Sequence, residues 1–545
     1  MKLLPHLYHK YPQLLLLLAG SLVFLMNLDA LFVNIMEARN FITAREMLVH
    51  DNWIFTTMNE MPRYQKPPLP TWLTAISAGI FGEESLYAYR LPAALASLFL
   101  MWIFYRIQLE LKLHKSLAFL SSLILITSFY VFFAGREGQW DIFTHSFMAG
   151  SIFFLIRLLK KPDEDYKNAV YAGLFLGASL MSKGPVSVYA LFLPFLISYA
   201  FTFRFKNLQL KWKSLLLMVV IGLLTGGWWT LLVHYYDPAE FTRIAEVESD
   251  RWFNYNVRPF YYYWSFFTQS GIWTIPALMG LGYWYLKPKI SKPGAYKFFF
   301  LWVVCSVVLL SIIPEKKSRY LLPVLIPLAT TTGFYAEYVI KNFKNKFKVL
   351  EKIPVYFNFV VLIIISLAIP VTLVVIAGTE ILEMKWTFFI FSILMLGCAL
   401  AFIYALIKKN MKLLFGLQVS LMIIIIAAGF PLLKLINPER NSPNVAHIKE
   451  LSIKENLKVY DYKSMLPELV WHFGTSIPQV LEKTPAPTAK RFLLLVEESA
   501  FPEWKKDFPE YKTEALGVLD LNPVHQTGTN NRLIRNYYLL ILQEP

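Results

Sequence analysis

Apolar runs of about 20 residues recur along this chain between residues 14 and 436, separated by short polar segments. Wound as a helix, a run of that length crosses the hydrocarbon core of a bilayer, and only a helix satisfies its own backbone polar groups there. The pattern predicts a polytopic α-helical membrane protein. Composition agrees, with 56% of the 545 residues hydrophobic and 17% charged. The formal charge of +16 does not indicate nucleic acid. The Lys and Arg residues fall in short clusters between apolar runs, as at 287–297 and 408–412, rather than along one basic stripe. Cys305 and Cys398 both lie inside apolar runs, where each acts as a small hydrophobe.

Spans are placed near 12–33, 86–108, 116–135, 142–159, 168–182, 185–203, 214–236, 263–286, 298–313, 321–340, 355–378, 386–407 and 413–436, about thirteen in all. The first run lacks a small-residue cleavage site, so it reads as a retained helix with a cytoplasmic N-terminus. Alternate connections then carry the basic clusters, as the positive-inside rule requires of cytoplasmic loops. This defines a transmembrane domain over 1–436 and leaves 437–545 on the outer face as a small soluble domain. β-like runs at 457–460, 492–496 and 537–542, with a helix-compatible stretch at 446–456, make that domain an α/β module. Two outer connections are long, 34–85 and 237–262. The first holds an amphipathic stretch at 38–48 suited to the membrane interface, and loops of such length usually carry function.

Positive charge on outer loops runs against the topological rule. Lys66, Lys183 and the cluster Lys316, Lys317, Arg319 are the exceptions. Snorkelling of a long cationic chain to the headgroups explains any one of them. Three on one face point to a phosphate, whose oxygens take charge-assisted hydrogen bonds from Lys and Arg. Transfer to a hydroxyl or amine also needs a general base. Asp29, Glu37, Glu46, Glu60 and Asp141 share that face, and spacing does not choose among them. A carboxylate at the mouth of a span, as Asp141 is, needs a partner, for which Arg39 is a candidate.

In order along the chain stand Glu37-Ala38-Arg39, Ala44-Arg45-Glu46-Met47, Tyr64-Gln65-Lys66-Pro67-Pro68 with Trp72 close behind, Arg90-Leu91-Pro92, Asp141, Ser182-Lys183-Gly184-Pro185, and Lys316-Lys317-Ser318-Arg319-Tyr320-Leu321-Leu322-Pro323. In order and placement these segments resemble the lipid A aminoarabinose transferases of the GT-C superfamily, relatives of the protein O-mannosyltransferases. The resemblance covers roughly the first 340 residues; later spans agree in layout only. It implies a GT-C fold with thirteen helices, an undecaprenyl-phosphate-linked sugar as donor, and inversion at the anomeric carbon. The setting would be the periplasmic face of a bacterial inner membrane, with lipid A, another glycan or a protein hydroxyl as acceptor, and the chain acting as a monomer without a soluble cofactor.

Carried residue by residue, the resemblance makes Lys66 the donor-phosphate lysine and Arg319 and Tyr320 further phosphate contacts. Lys183 becomes a nearby structural or phosphate-facing cation, and Arg39 with Asp141 an ion pair holding the first outer loop. There are departures. Where the family reads Asp-Glu, this chain has Met36-Glu37, which makes Glu37 the candidate base and Asp29 the next. Where the family commonly offers Glu before the donor lysine and His ahead of a Pro-Phe pair, this chain has Gln65 and, in Asn256-Val257-Arg258-Pro259-Phe260, Asn256. Neutral amides are weak metal ligands, so no metal is expected, and Arg258 is assigned the positive charge toward the phosphate. The rival class is a lipid-linked sugar transporter. It would place ionisable groups near the bilayer midplane and repeats between halves, and neither stands out here.

Overall fold

The computed structural model describes residues 10–160, 165–205, 208–344, 347–441, 443–481, 489–526 and 528–543. Residues 1–9, whose cytoplasmic placement the charge pattern predicts, lie outside the described residues. Among those described, six helices are long and apolar enough to cross a membrane: Leu86–Glu110, Trp140–Lys160, Leu208–Tyr236, Pro293–Ile312, Val349–Ile407 and Met411–Arg440. The pair Lys115–Thr127 and Phe129–Arg136, bent by 65°, makes a seventh if it counts as one broken span. Shorter apolar helices run over Pro12–Phe24, Leu69–Phe81 and Val188–Phe203.

Besides the bent pair at 115–136, the predicted span 263–286 is not continuous. Residues 263–286 form short pieces, among them Phe266–Trp273, Thr274–Gly280 and Tyr283–Leu286. Gly271 sits at φ 62°, and a Cβ there would lie 2.7 Å from Phe129 Cβ, so the break needs glycine on two counts.

The chain divides into two compact units. The first comprises Met1–Leu28, Tyr64–Pro370 and Phe389–Ala428. Within it the helices Asp165–Lys183 and Leu208–Tyr236 meet along small residues: a Cβ on Gly177 would fall 1.9 Å from Thr225 Oγ1. Such seams let helix backbones approach where no hydrophobic force acts between them. Two fully buried arginines close the end of Pro12–Phe24, whose last carbonyls lack helical partners. Arg136 donates to the carbonyls of Val23 at 2.8 Å and Met26 at 2.7 Å, and Arg90 to that of Leu28 at 2.9 Å.

The second unit comprises Asp29–Arg63, Val371–Phe388 and Gly429–Pro545. Its helix Ile35–His50 starts with a capping box: Asn34 Oδ1 accepts from the backbone of Met36 and Glu37, and Glu37 Oε2 accepts from Asn34 N at 3.3 Å. Strands β1 (Thr57–Met58) and β2 (Met61–Pro62) pair through a two-residue loop, with Asn59 and Glu60 both at positive φ as a type I′ turn requires. Glu46, buried, holds that turn by accepting from Thr57 Oγ1 and Asn59 N, each at 2.6 Å.

The C-terminal sheet has the order β4-β3-β5-β7-β6. Its strands are β3 (Lys458–Tyr462), β4 (Gln479–Val480), β5 (Arg491–Val496), β6 (Tyr511–Asp520) and β7 (Ile534–Leu542). β3 runs parallel to β4 and β5, while β7 is antiparallel to β5 and β6. Both faces are covered. Leu493 and Leu495 point to a core with Val459, Leu469, Val470 and Tyr537; Phe492, Leu494 and Val496 point to another with Trp504, Tyr538 and Leu540. Ile42 of the first long connection enters the former core. From the same helix Arg45 donates to the carbonyls of Val470 at 3.0 Å and Trp471 at 3.1 Å, and Asn59 exchanges two hydrogen bonds with Ile477, both at 2.7 Å. The connection is thus built into the unit that holds the sheet.

Candidate functional site

Pro67 and Pro68 set up the helix Leu69–Phe81, and Lys66 sits just ahead of it. Its ammonium lies 3.5 Å from Glu248 Oε2, on the helix Pro238–Asn254, with both side chains about three-quarters buried. Burial lowers the Lys66 pKa and Glu248 opposes that shift. Lys183 is close enough to lower it further, and Asp141 close enough to raise it. Glu248 also accepts from Arg251 at 2.8 Å through its other oxygen.

Lys183 ends the helix Asp165–Lys183 and forms an ion pair with Asp141, in the first turn of Trp140–Lys160. Both are buried, and a carboxylate in a first helical turn also meets the positive end of the helix dipole. Asp141 is thus paired with Lys183, while Arg39, the partner expected for it, belongs to the other compact unit. A buried lysine one helix away satisfies the carboxylate inside the same compact unit. Lys183 Nζ also lies 5.4 Å from the centre of the Tyr320 ring.

The segment after Pro293–Ile312 divides the work of its cations. Lys316 is 3% exposed, and its ammonium donates to the carbonyls of Ile313 at 2.6 Å, Arg258 at 3.1 Å and Pro314 at 3.4 Å. Backbone bonds join the same two stretches: Glu315 N to Trp252 O, Lys316 N to Asn256 O and Arg258 N to Pro314 O, each at 3.2 Å. Lys316 therefore stitches residues 252–258 to residues 313–316. Glu315, also buried, accepts from Lys317 at 2.5 Å and from the Tyr320 hydroxyl at 3.1 Å. Burial first, then Glu315, raises the Tyr320 phenol well above its ordinary value, so it stays a hydrogen-bond donor. The Tyr263 hydroxyl accepts from Lys317 N at 2.9 Å and donates to Lys317 O at 3.1 Å. Arg319 Nε is buried without a hydrogen-bond partner among the described residues. Arg258 is exposed.

The first unit therefore gathers Lys66, Asp141, Lys183, Arg319 and Tyr320, interleaved with Glu248 and Glu315. Glu248 had no signal in the sequence, because it reaches Lys66 across 182 residues, whereas Glu315 stands directly before the cationic cluster it pairs with. Glu37, Asp29 and Arg39 belong to the second unit. Glu37 is fully buried at the start of its helix, and Asp29 is paired with Lys434 at 3.1 Å. The residues at the two positions weighed for a metal do not suit one. Gln65 presents a neutral amide whose Oε1 is buried without a hydrogen-bond partner among the described residues, and Asn256 is a second amide two residues from Arg258.

Residues 65–229 match the family model described as dolichyl-phosphate-mannose-protein mannosyltransferase. Among similar proteins, the undecaprenyl phosphate-alpha-4-amino-4-deoxy-L-arabinose arabinosyl transferase 1 of Proteus mirabilis is 26% identical over 302 residues, 54% of this chain and 53% of that protein. The transferase of this kind from Shewanella sediminis is 24% identical over 331 residues, 56% of each. The matched stretch thus spans about half the length of these relatives. In fold the likeness is broader: the crystal structure of ArnT from Cupriavidus metallidurans bound to undecaprenyl phosphate superposes with a TM-score of 0.68. It does so over 96% of this chain and 97% of that one, at 15% identity. With a largely helical chain, a small C-terminal sheet and this likeness in both sequence and fold, the protein resembles the lipid A aminoarabinose transferases among the GT-C glycosyltransferases.

Proposed function

We propose that the chain is an inverting glycosyltransferase that moves a sugar from an undecaprenyl-phosphate donor to an envelope acceptor at the periplasmic face of the inner membrane. The observation that carries this reading is the set of Lys66, the Lys183–Asp141 pair, Arg319 and Tyr320 within one compact unit. Part of that set lies in the stretch that matches polyprenyl-phosphate-sugar transferases. The full topology of thirteen spans, with residues 437–545 as a periplasmic domain and the chain a monomer, belongs to the same proposal.

In the reaction the acceptor oxygen or nitrogen attacks the anomeric carbon. The bond from that carbon to the phosphate oxygen breaks, and the polyprenyl phosphate leaves with the electron pair. Lys66, Arg319 and Tyr320 stabilise the charge growing on the phosphate, with Arg258 adding positive charge from the segment that Lys316 secures. Glu37 is the candidate base that takes the acceptor's proton, with Asp29 the next candidate. The similar transferases act on a 4-amino-4-deoxy-L-arabinose donor, so a pentose is the first sugar to try, with a hexose second and lipid A the first acceptor. Mass spectrometry of envelope lipids and glycans from cells with and without the gene tests this. A sugar increment confined to the gene-bearing cells is expected, and identical envelopes under expression of the protein would refute it.

A further inference from the structure

Lys66 is in ion-pair contact with Glu248, so a phosphate bound at Lys66 would share its ammonium with a carboxylate already in place. The placement is a built one. The helix Pro238–Asn254 starts at Asp237, whose side chain accepts from Glu240 N, and Phe241 and Ile244 dock it on Tyr64, Trp229 and Val233. Just beyond its C-terminal end the chain is stitched to residues 313–316. Glu248 lies one turn after Ile244, so docking of Ile244 turns Glu248 toward the segment that carries Tyr64 and Lys66. One ammonium cannot serve a carboxylate and a phosphate fully at once, and the two anions repel each other at such range.

Resting on the reading of Lys66 as a phosphate-binding lysine, we infer that Glu248 is an exchangeable counter-ion which a lipid phosphate must displace from Lys66. Arg251 makes the exchange feasible. It already holds the second carboxylate oxygen of Glu248 at 2.8 Å, so the acid keeps a cation when Lys66 turns to the phosphate. Burial lowers the Lys66 pKa and the carboxylate opposes that shift, as expected of a counter-ion in direct contact. Glu248 thereby sets how readily the site admits a phosphate and favours ligands with enough negative charge to compete.

The test is binding of undecaprenyl phosphate to the full-length protein in nanodiscs, comparing wild type, Glu248→Gln and Lys66→Ala. Removal of one like charge beside the phosphate is expected to tighten binding about tenfold in Glu248→Gln, while Lys66→Ala weakens it by a comparable factor or more. Unchanged or weaker binding in Glu248→Gln overturns the inference, and if Lys66→Ala still loses affinity the phosphate reading stands without it. Wild-type binding by Lys66→Ala overturns the phosphate reading itself.

Discussion

In the proposed reaction Lys66 and Glu37 are assigned the two chemical roles a polyprenyl-phosphate transferase needs, and each assignment can be tested by a change that spares the fold. Lys66 meets Glu248 in a 3.5 Å contact, and Glu248 keeps Arg251 as a second cation, so removing the ammonium does not leave the carboxylate unpaired. Lys66→Ala should insert and purify normally while the donor KM rises at least tenfold or transfer disappears. Full activity would remove Lys66 from the site. Glu37 does more than offer a base, since its carboxylate closes the capping box of Ile35–His50. Glutamine completes the same box, so Glu37→Gln keeps the helix cap while losing the capacity to take a proton. Its kcat should fall on the order of 10²-fold or more. An active Glu37→Gln beside an inactive Asp29→Asn would reverse the order of the two candidates.

At the scale of elements, the C-terminal sheet holds a test of its own. Asp461 on β3 and Glu497 just after β5 share one guanidinium, Arg535 on β7, with Nε 3.5 Å from Asp461 and Nη1 3.9 Å from Glu497. Asp461 and Arg535 are both 1% exposed at the side chain. Burial, opposed by Arg535, pushes the Asp461 carboxyl up from its ordinary 3.8 to about 7. A raised folded-state pKa means the folded chain binds the proton more tightly than the unfolded one. The stabilisation is therefore full below about pH 4 and is lost as pH rises through about 7. Thermal melting between pH 4 and 8 should show a Tm that falls with pH, and Asp461→Asn should flatten that slope; a slope unchanged by the variant would show that another group sets it. The sheet itself was largely readable in advance, since three of its strands are apolar runs bounded by polar residues. β6 escaped because its residues alternate irregularly around a bulge at Ala515 and Gly517. The predicted span at 263–286 failed for a similar reason. Its mean apolarity hides the Gly271 break, where the lack of room for a Cβ is set by Phe129, far along the chain.

For the whole molecule, local periodicity found most of the helices and the charge pattern of the connections picked out the candidate cations, but neither showed what joins them. Nothing near Lys66 in sequence announces Glu248, and nothing in residues 29–63 announces that they share a core with the C-terminal sheet. The Lys316, Lys317, Arg319 run looked like one basic cluster, yet Lys316 spends its donors on three carbonyls. Contacts across such separations leave no periodic trace. The amides Gln65 and Asn256 lead to a further expectation, that transfer persists in excess EDTA and that activity lost in Arg258→Ala is not restored by zinc, manganese or magnesium. Inhibition by the chelator, reversed by one of those ions, would contradict it. The central claim, sugar transfer from a polyprenyl phosphate through the Lys66 site, is tested most directly with purified protein, an undecaprenyl phosphate carrying a labelled sugar, and lipid A or envelope acceptors. The account predicts label in the acceptor with inverted anomeric configuration, one undecaprenyl phosphate released per transfer, and loss of both in Lys66→Ala. Donor that crosses the membrane intact without label reaching any acceptor would identify a transporter instead and contradict the account.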